Sequence, residues 1–571
     1  MAVRKAKGRG AQAAAPAKPQ PAGHWETAVQ PFLERYWHVL SVCLVLIASI
    51  RIVSTFSALS LTWDEPGHFA CGLQYLSEHI YRYESQHPPL ARAATAIGPY
   101  LAGVRPIGGP EQNLEGVNII KATGQVDRMA FLMRIGILPF FWIACLVVYL
   151  WTRRYTSAGV AVIATGLFTL TPPVLAHAGL ATTDMALTGC LLAAFLSLLV
   201  WAEAPTWRSG AVLGVTAALA GLSKFTAIGY LPAAAVLSLV FWLGVKRPPM
   251  HRLSELARER LATFGFAVAV GFLTVWAAYW FSFGIVPKWG VKLPAPEFFD
   301  GILAASSHNS GGHAAYILGE VSFKGWWYFF PVALAVKTPL ALLLLCIPGI
   351  WAVWRKRSQP GYLTVAAFFL GILLPAMTSH VNIGVRHVLP IYAALAIFAA
   401  LGCERLISFA GTPALALVFC GAPIVWIVLS GARAHPDYPS YFNELAGDDP
   451  GKILVDSDLD WGQDYKRLEQ RLREVHADHV AVKFNETIIY TNLYHLPAAR
   501  QVDDTRPLEG WNVIGPTVSK HMVAQSAMRG IDAKSIEEAM RPPWFERLAP
   551  TEKVGALRLF YVPAGSPLLK E

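Results

Sequence analysis

The chain has 571 residues, of which 54% are hydrophobic and only 15% charged, and its mean hydropathy is +0.41. A soluble domain carries about 25% charged residues, so the composition excludes an ordinary water-soluble enzyme and points to a chain that crosses a bilayer many times. The formal net charge of +10 does not imply a nucleic-acid partner, because the Lys and Arg residues gather in short loops and an N-terminal tail, where they set membrane topology.

Residues 1–24 are rich in Ala, Pro and Lys and lack an apolar core. They read as a disordered basic tail, not a cleaved signal peptide, and the domain division places this tail at 1–34. Apolar runs then recur near 37–60, 129–151, 158–176, 184–202, 209–223, 226–245, 261–282, 328–353, 361–378, 388–403 and 411–430. Each approaches the roughly 20 residues that cross a hydrocarbon core as a helix. The expected fold is therefore an α-helical polytopic membrane domain over 35–430 with about eleven spans. Nineteen Trp and nineteen Tyr suit aromatic belts at the two interfaces.

Basic clusters orient the bundle. Arg4, Lys5, Lys7 and Arg9 precede the first span, Arg153-Arg154 follow the second, Lys246 to Arg260 the sixth, and Arg355-Lys356-Arg357 the eighth. With eleven spans all of these fall on one side, expected to be the cytoplasm of an inner, multi-pass cell membrane. The loops 61–128, 177–183, 283–327 and 379–387, and everything after 431, then face outward. In the first of these, Phe69, Leu73 and Leu76 recur at helical spacing and Leu90 to Leu101 is apolar, as in segments that lie in the interface plane.

Beyond Gly431 no run is of membrane length. Lys452–Ser457, His479–Phe484, Trp511–Gly515 and Ala556–Val562 read as strands, and Gln463–Val475 as an amphipathic helix with Leu468, Leu472 and Val475 on one face. Residues 431–571 are thus expected to form a small extracytoplasmic α/β domain. Of seven cysteines only Cys71 reads as loop-borne, and no disulfide framework or zinc spacing is evident.

The stretch with most chemical content is Asp64-Glu65, directly after the first apolar run. Adjacent carboxylates at the mouth of a membrane helix are costly unless they face water or a site. One of them is suited to act as a general base toward an acceptor hydroxyl; the competing readings are a solvated loop carboxylate and a helix cap.

Trp63-Asp64-Glu65-Pro66-Gly67-His68-Phe69, followed by His87-Pro88-Pro89-Leu90-Ala91-Arg92, resembles the first outer loop of the protein O-mannosyltransferases, members of the GT-C superfamily. Here one extra residue separates the acidic pair from His68. Further stretches are similar to the family or its bacterial relatives: Arg134 in Met133–Pro139, Ala181-Thr182-Thr183-Asp184, Gly325–Tyr328, Lys337-Thr338-Pro339, Asn382–His387, and Asp456 to Asp464. The resemblance implies an inverting glycosyltransferase that moves a monosaccharide, mannose in the namesake family, from a polyprenyl-phosphate donor to an acceptor hydroxyl at the outer face. It implies Asp64 and Glu65 as the catalytic carboxylates. A protein Ser or Thr, lipid A and an envelope glycan remain alternative acceptors, the aminoarabinose transferases of lipid A sharing this architecture. A transporter or flippase of lipid-linked sugar is the alternative from another class, although no inverted repeat is evident.

Arg134, Lys224, Arg386 and His387 are the expected partners of the donor phosphate, since fixed cations stabilise charge that grows on a leaving phosphate. Lys224 stands out because it interrupts apolar sequence between two spans, and intramembrane charges usually face an interior. Asp184, opening the fourth span, fits a helix cap and a site residue equally. His68 and His87 are assigned with Asp184 to the acceptor and its loop. The outer histidines show no ligand spacing, so no cofactor is expected, with a divalent metal as the alternative. Asp456, Asp458 and Asp460 do not form a calcium loop, because Gly462 comes one place late and Arg467 stands where a Glu is required.

Overall fold

The computed structural model describes residues 25, 29–81, 83–483, 493–502, 506–520 and 543–569. Most of the expected tail over 1–34 lies outside these.

The chain is a polytopic α-helical membrane protein. In order, its first helices are α1 (Gln30–Ser54), α2 (Asp64–Glu78), α3 (Pro89–Leu101), α4 (Gln112–Thr123), α5 (Val126–Ile135), α6 (Leu138–Tyr155), α7 (Ala158–Leu170), α8 (Pro172–Ala178), α9 (Asp184–Glu203), α10 (Trp207–Ser223), α11 (Ala227–Lys246) and α12 (Met250–Ala278). A hairpin of β1 (Phe283–Val286) and β2 (Val291–Pro294) leads to α13 (Pro296–Gly311) and a second small hairpin, β3 (Ala315–Ile317) and β4 (Glu320–Ser322). The helices α14 (Phe329–Lys337), α15 (Leu340–Arg355), α16 (Pro360–Ala376) and α17 (Ile391–Phe409) follow, and a helix over Pro413–Arg433 ends the bundle.

Among the described residues seven helices are long and apolar enough to cross a membrane, or nine if each bent pair is one span. The bent pairs are α7 with α8, at 67°, and α14 with α15, at 111°. Both break before a proline, at Thr171-Pro172 and Thr338-Pro339, where the missing N–H and the ring clash end a helix. The two remaining expected spans are occupied by α10 and α16, each 17 residues. At 1.5 Å per residue these reach about 26 Å, short of a hydrocarbon core of about 30 Å. Of the eleven expected spans, seven, or up to nine with the bent pairs, qualify by length and composition among the described residues.

The stretch 61–128 is a packed layer of α2, α3 and α4, and α2 is buried over most of its length. Cys71, expected on a loop, is 2% exposed inside this helix. Close approach depends on glycine: a Cβ at Gly72 would lie 1.9 Å from the Arg92 carbonyl oxygen, and one at Gly116 would lie 2.1 Å from that of Pro66.

The C-terminal region is α/β. A sheet of β5 (His479–Lys483), β6 (Ala498–Gln501), β7 (Gly510–Ile514), β8 (Glu552–Val554) and β9 (Leu557–Val562) has the order β6-β5-β7-β9-β8. β6, β5 and β7 run parallel, while β9 pairs antiparallel with both β7 and β8. The expected amphipathic helix is present as Tyr465–Glu474 and buries Leu468 and Leu472. The expected strand at Lys452–Ser457 is instead two 3-10 turns, Pro450–Lys452 and Asp456–Asp458. Pro450 and the left-handed backbone of Asp456 (φ +60°) are incompatible with a strand. Leu61, Phe69 and Leu73 share one apolar cluster with Tyr465, Leu468, Val480 and Val513. The sheet thus shares its apolar core with α2, the helix that carries Asp64.

Candidate active site

Asp64 and Glu65 open α2 and diverge at once. Glu65 is completely buried. Its Oε1 accepts from Arg134 Nε (2.8 Å) and from the Ala181 amide (2.9 Å). Its Oε2 accepts from Arg134 Nη2 (2.8 Å), the Thr62 amide (2.7 Å) and Thr62 Oγ1 (3.1 Å). Arg134 is equally buried and gives its remaining donors to the carbonyls of Phe56 (3.1 Å), Leu59 (3.0 Å) and Ser60 (2.6 Å). A guanidinium has five N–H donors, and all five are engaged. Arg134, expected at the donor phosphate, faces Glu65 and the end of α1 instead. Glu65, expected beside Asp64 as a catalytic carboxylate, has no surface to offer a substrate.

The Asp64 side chain is 25% exposed and borders a cavity of about 130 Å³ whose lining includes Trp63, Arg386, Asp456, Asp460 and Trp461. Asp64 Oδ2 accepts from Arg386 Nη1 at 2.7 Å. Burial pushes the Asp64 carboxyl up, but Arg386 beside it holds it below the usual carboxylate value. It is therefore ionised at neutral pH.

Arg386 lies on a short 3-10 turn, Val385–Val388, and its guanidinium stacks over the Trp461 ring at 4.1 Å. The same Nη1 is 3.8 Å from Asp184 Oδ2, and Asp184 Oδ1 accepts from Lys224 Nζ at 2.6 Å. Asp184 opens α9 and is fully buried, while Lys224 stands where α10 ends in extended backbone. The sequence-assigned Asp64, Arg386, Asp184 and Lys224 thus form one alternating chain of charge. Three nitrogens in or beside it, Arg386 Nε, His387 Nε2 and His177 Nδ1, are buried without a hydrogen-bond partner among the described residues. Buried polar atoms in that condition are uncommon. Burial, with Lys224 and Arg386 nearby, holds the His387 imidazole well below its ordinary value.

His68 and His87 belong to a neighbouring cluster, with ring centroids 5.1 Å apart. Arg92 Nε donates to His68 Nδ1 at 3.2 Å, which leaves the His68 proton on Nε2. Burial and the Arg92 charge keep this imidazole neutral, well below its ordinary pKa. His87 Nδ1 lies 3.0 Å from Glu84 Oε2, and Glu84 also pairs with Arg92.

Sequence reasoning did not single out Arg92, Glu84, Lys337 or Asp458 as site residues. Arg92 is 1% exposed in an otherwise apolar helix, and a charge in that setting was the available signal. Lys337 Nζ is buried and donates to the carbonyls of Asp458 (2.6 Å) and Pro439 (2.8 Å). The Asp458 carboxylate accepts from the Val385 amide at 3.1 Å. This contact holds the turn that presents Arg386. Among the described residues no three His, Cys, Asp or Glu side chains come together to hold a metal ion.

Residues 41–291 match the family model described as dolichyl-phosphate-mannose-protein mannosyltransferase. The match includes Asp64, Glu65, Arg134, Asp184 and Lys224 and stops before Arg386. The chain resembles GT-C superfamily members on this ground. No curated protein matches it. Similar solved structures include ArnT from Cupriavidus metallidurans bound to undecaprenyl phosphate, at 13% identity and a TM-score of 0.49 over 91% of this chain and 97% of that one. The archaeal oligosaccharyltransferase AglB from Archaeoglobus fulgidus, in complex with an inhibitory peptide and a dolichol-phosphate, has 13% identity and a TM-score of 0.48 over 94% and 75% of the two chains. A protein O-mannosyltransferase complex of S. cerevisiae bound to the sugar donor has 16% identity and a TM-score of 0.32 over 43% and 33%.

Proposed function

We propose that this chain is a GT-C-type glycosyltransferase that moves a monosaccharide from a polyprenyl-phosphate donor to an acceptor hydroxyl at the outer face of the membrane. One observation carries the reading: an ionised, partly exposed carboxylate at Asp64 meets, in one cavity, a cation on Arg386 whose neighbours include buried nitrogens without partners. The match to the mannosyltransferase family model over residues 41–291 supports it independently.

In this reading the acceptor oxygen attacks the anomeric carbon while its proton passes to Asp64. The bond from the anomeric carbon to the phosphate oxygen breaks, and polyprenyl phosphate leaves with the electron pair. Attack opposite the leaving group inverts the anomeric centre. Arg386, Lys224 and His387 meet the charge that grows on the phosphate, in surroundings where water screens it poorly. Glu65 and Arg134 are positioning residues: they fix the start of α2 and so the direction in which Asp64 points. His68, with its proton on Nε2, and His87 lie near the base.

We place the acceptor hydroxyl on a glycolipid such as lipid A or on an envelope glycan, ahead of a protein Ser or Thr. The cavity beside Asp64 is small, about 130 Å³. Its lining includes the carboxylates Asp456 and Asp460 and the aromatic rings Trp63 and Trp461, which suit sugar hydroxyls and sugar faces.

The test is transfer by purified protein in lipid nanodiscs, read as free polyprenyl phosphate released when glycolipid acceptor is added. Asp64→Asn should insert and melt as the parent does while release falls by about 10²–10⁴-fold. Near-parental release would overturn the base assignment. Movement of intact donor between the leaflets of sealed vesicles, without cleavage, would instead favour a transporter.

A further inference from the structure

The connection between α12 and α14 carries an apolar surface that the sugar-transfer reading does not use. After α12 the side chains of Trp280, Phe281, Phe283, Ile285, Trp289 and Val291 are 47–61% exposed. In the β1–β2 hairpin, Ile285 pairs with Lys292 and Phe283 with Pro294. Successive residues of a strand face opposite ways, so Phe283 and Ile285 share one face with Lys292. On the other face Val286 is fully buried. The hairpin therefore buries Val286 on one side, where its partner Val291 is exposed beside the turn, and presents Phe283 and Ile285 with Lys292 on the other.

We propose that this face of the hairpin lies in the bilayer, at the headgroup boundary of the leaflet into which α12 emerges. Three observations select lipid as its occupant. The exposed face continues directly from α12, where Leu261, Phe264, Val268, Phe272 and Leu273 are 45–70% exposed, as on a lipid-facing helix. Its composition, Trp and Phe with flanking Lys, is that of interfacial anchors, with cations placed to meet lipid phosphates. The depth follows from the backbone: β1 and β2 form a sheet of only two strands, so each strand has an outer edge of unpaired amides and carbonyls. Such edges are not tolerated in hydrocarbon but are satisfied by water and headgroups at the interface. The hairpin then ties to the membrane the segment that leads through α13 to His313, which borders the Asp64 cavity.

A nitroxide reports this directly. Cys43 is the exposed cysteine, the other six being buried, so Cys43→Ala gives a background for single labels. Labels at Ile285→Cys and Phe283→Cys, and at the exposed Lys324→Cys as a water-facing reference, are compared in nanodiscs of phosphatidylethanolamine and phosphatidylglycerol. Accessibility to oxygen relative to an aqueous nickel chelate should be several-fold higher at positions 283 and 285 than at 324, with a depth at the headgroup level. Equal ratios at all three positions would overturn the proposal, and so would a depth near the bilayer centre. The measurement requires no sugar transfer, so it stands or falls separately from the proposed activity.

Discussion

Arg134 meets Glu65 through two parallel hydrogen bonds of 2.8 Å, with both side chains wholly out of water. Bidentate charge-assisted pairs of this kind are strong and directional. This one locks the residue immediately after Asp64, and because its carboxylate also takes the Thr62 and Ala181 amides, it ties the loop before α9 to the start of α2.

Removing one partner leaves a buried charge uncompensated. Glu65→Gln and Arg134→Met should each destabilise the protein by about 3–5 kcal/mol, and the double variant by clearly less than the sum. Thermal melts of the four proteins in detergent check this. If the two effects simply add, the pair is not the lock described.

Arg386 opposes the effect of burial on Asp64. A carboxylate held low stays charged until the pH falls beneath its folded value, so the acid limb of transfer should lie below the ordinary carboxylate range. Arg386→Ala removes the opposing charge, and the limb should move to higher pH as the rate falls by about 10²–10³-fold. An unchanged limb in that variant would show that Arg386 does not set the ionisation of Asp64.

Asp184 and Lys224 pair at 2.6 Å at the junction of α9, α10 and α11. Lys224→Met should cost about 3–5 kcal/mol by leaving Asp184 with the Thr182 hydroxyl and the more distant Arg386. Lys224→Met combined with Asp184→Leu should recover much of that stability and none of the transfer activity. Recovery of both would show that the pair serves the fold alone.

Burial, with Asp464 close by, pushes Asp460 up to about 7. A carboxyl whose folded pKa exceeds its unfolded value adds stability below the unfolded pKa and loses it as pH rises through the folded one. The parent should therefore melt lower at pH 8 than at pH 6, and Asp460→Asn should flatten that difference. The comparison is of melting temperatures, parent against variant, at the two pH values.

The bundle was legible because apolar run length directly reports a membrane helix. Lys224 was legible for the complementary reason: a charge that interrupts such a run needs a partner. Asp64 stood out by following one. The role of Arg134 was not readable, since a cation beside a span looks the same whether it awaits a phosphate or holds a carboxylate 69 positions earlier in the chain. The turns at Asp456–Asp458 had a plausible strand pattern, and local propensity yielded there to a tertiary contact, the Asp458 carboxylate taking the Val385 amide. Strand and helix periods carry no record of such contacts.

The hydrogen bond from Arg386 to Asp64 spans 322 positions, and the turn bearing Arg386 is braced in turn by Asp458. A ribosome inserting this protein therefore releases the acidic loop long before its counter-charge exists. Until the segment around Asp458 emerges and docks against Lys337, the turn that presents Arg386 to Asp64 lacks its brace. Competence for catalysis on this reading arrives late in synthesis, so a chain that stalls or is cut before the C-terminal region would be inert toward its lipid donor.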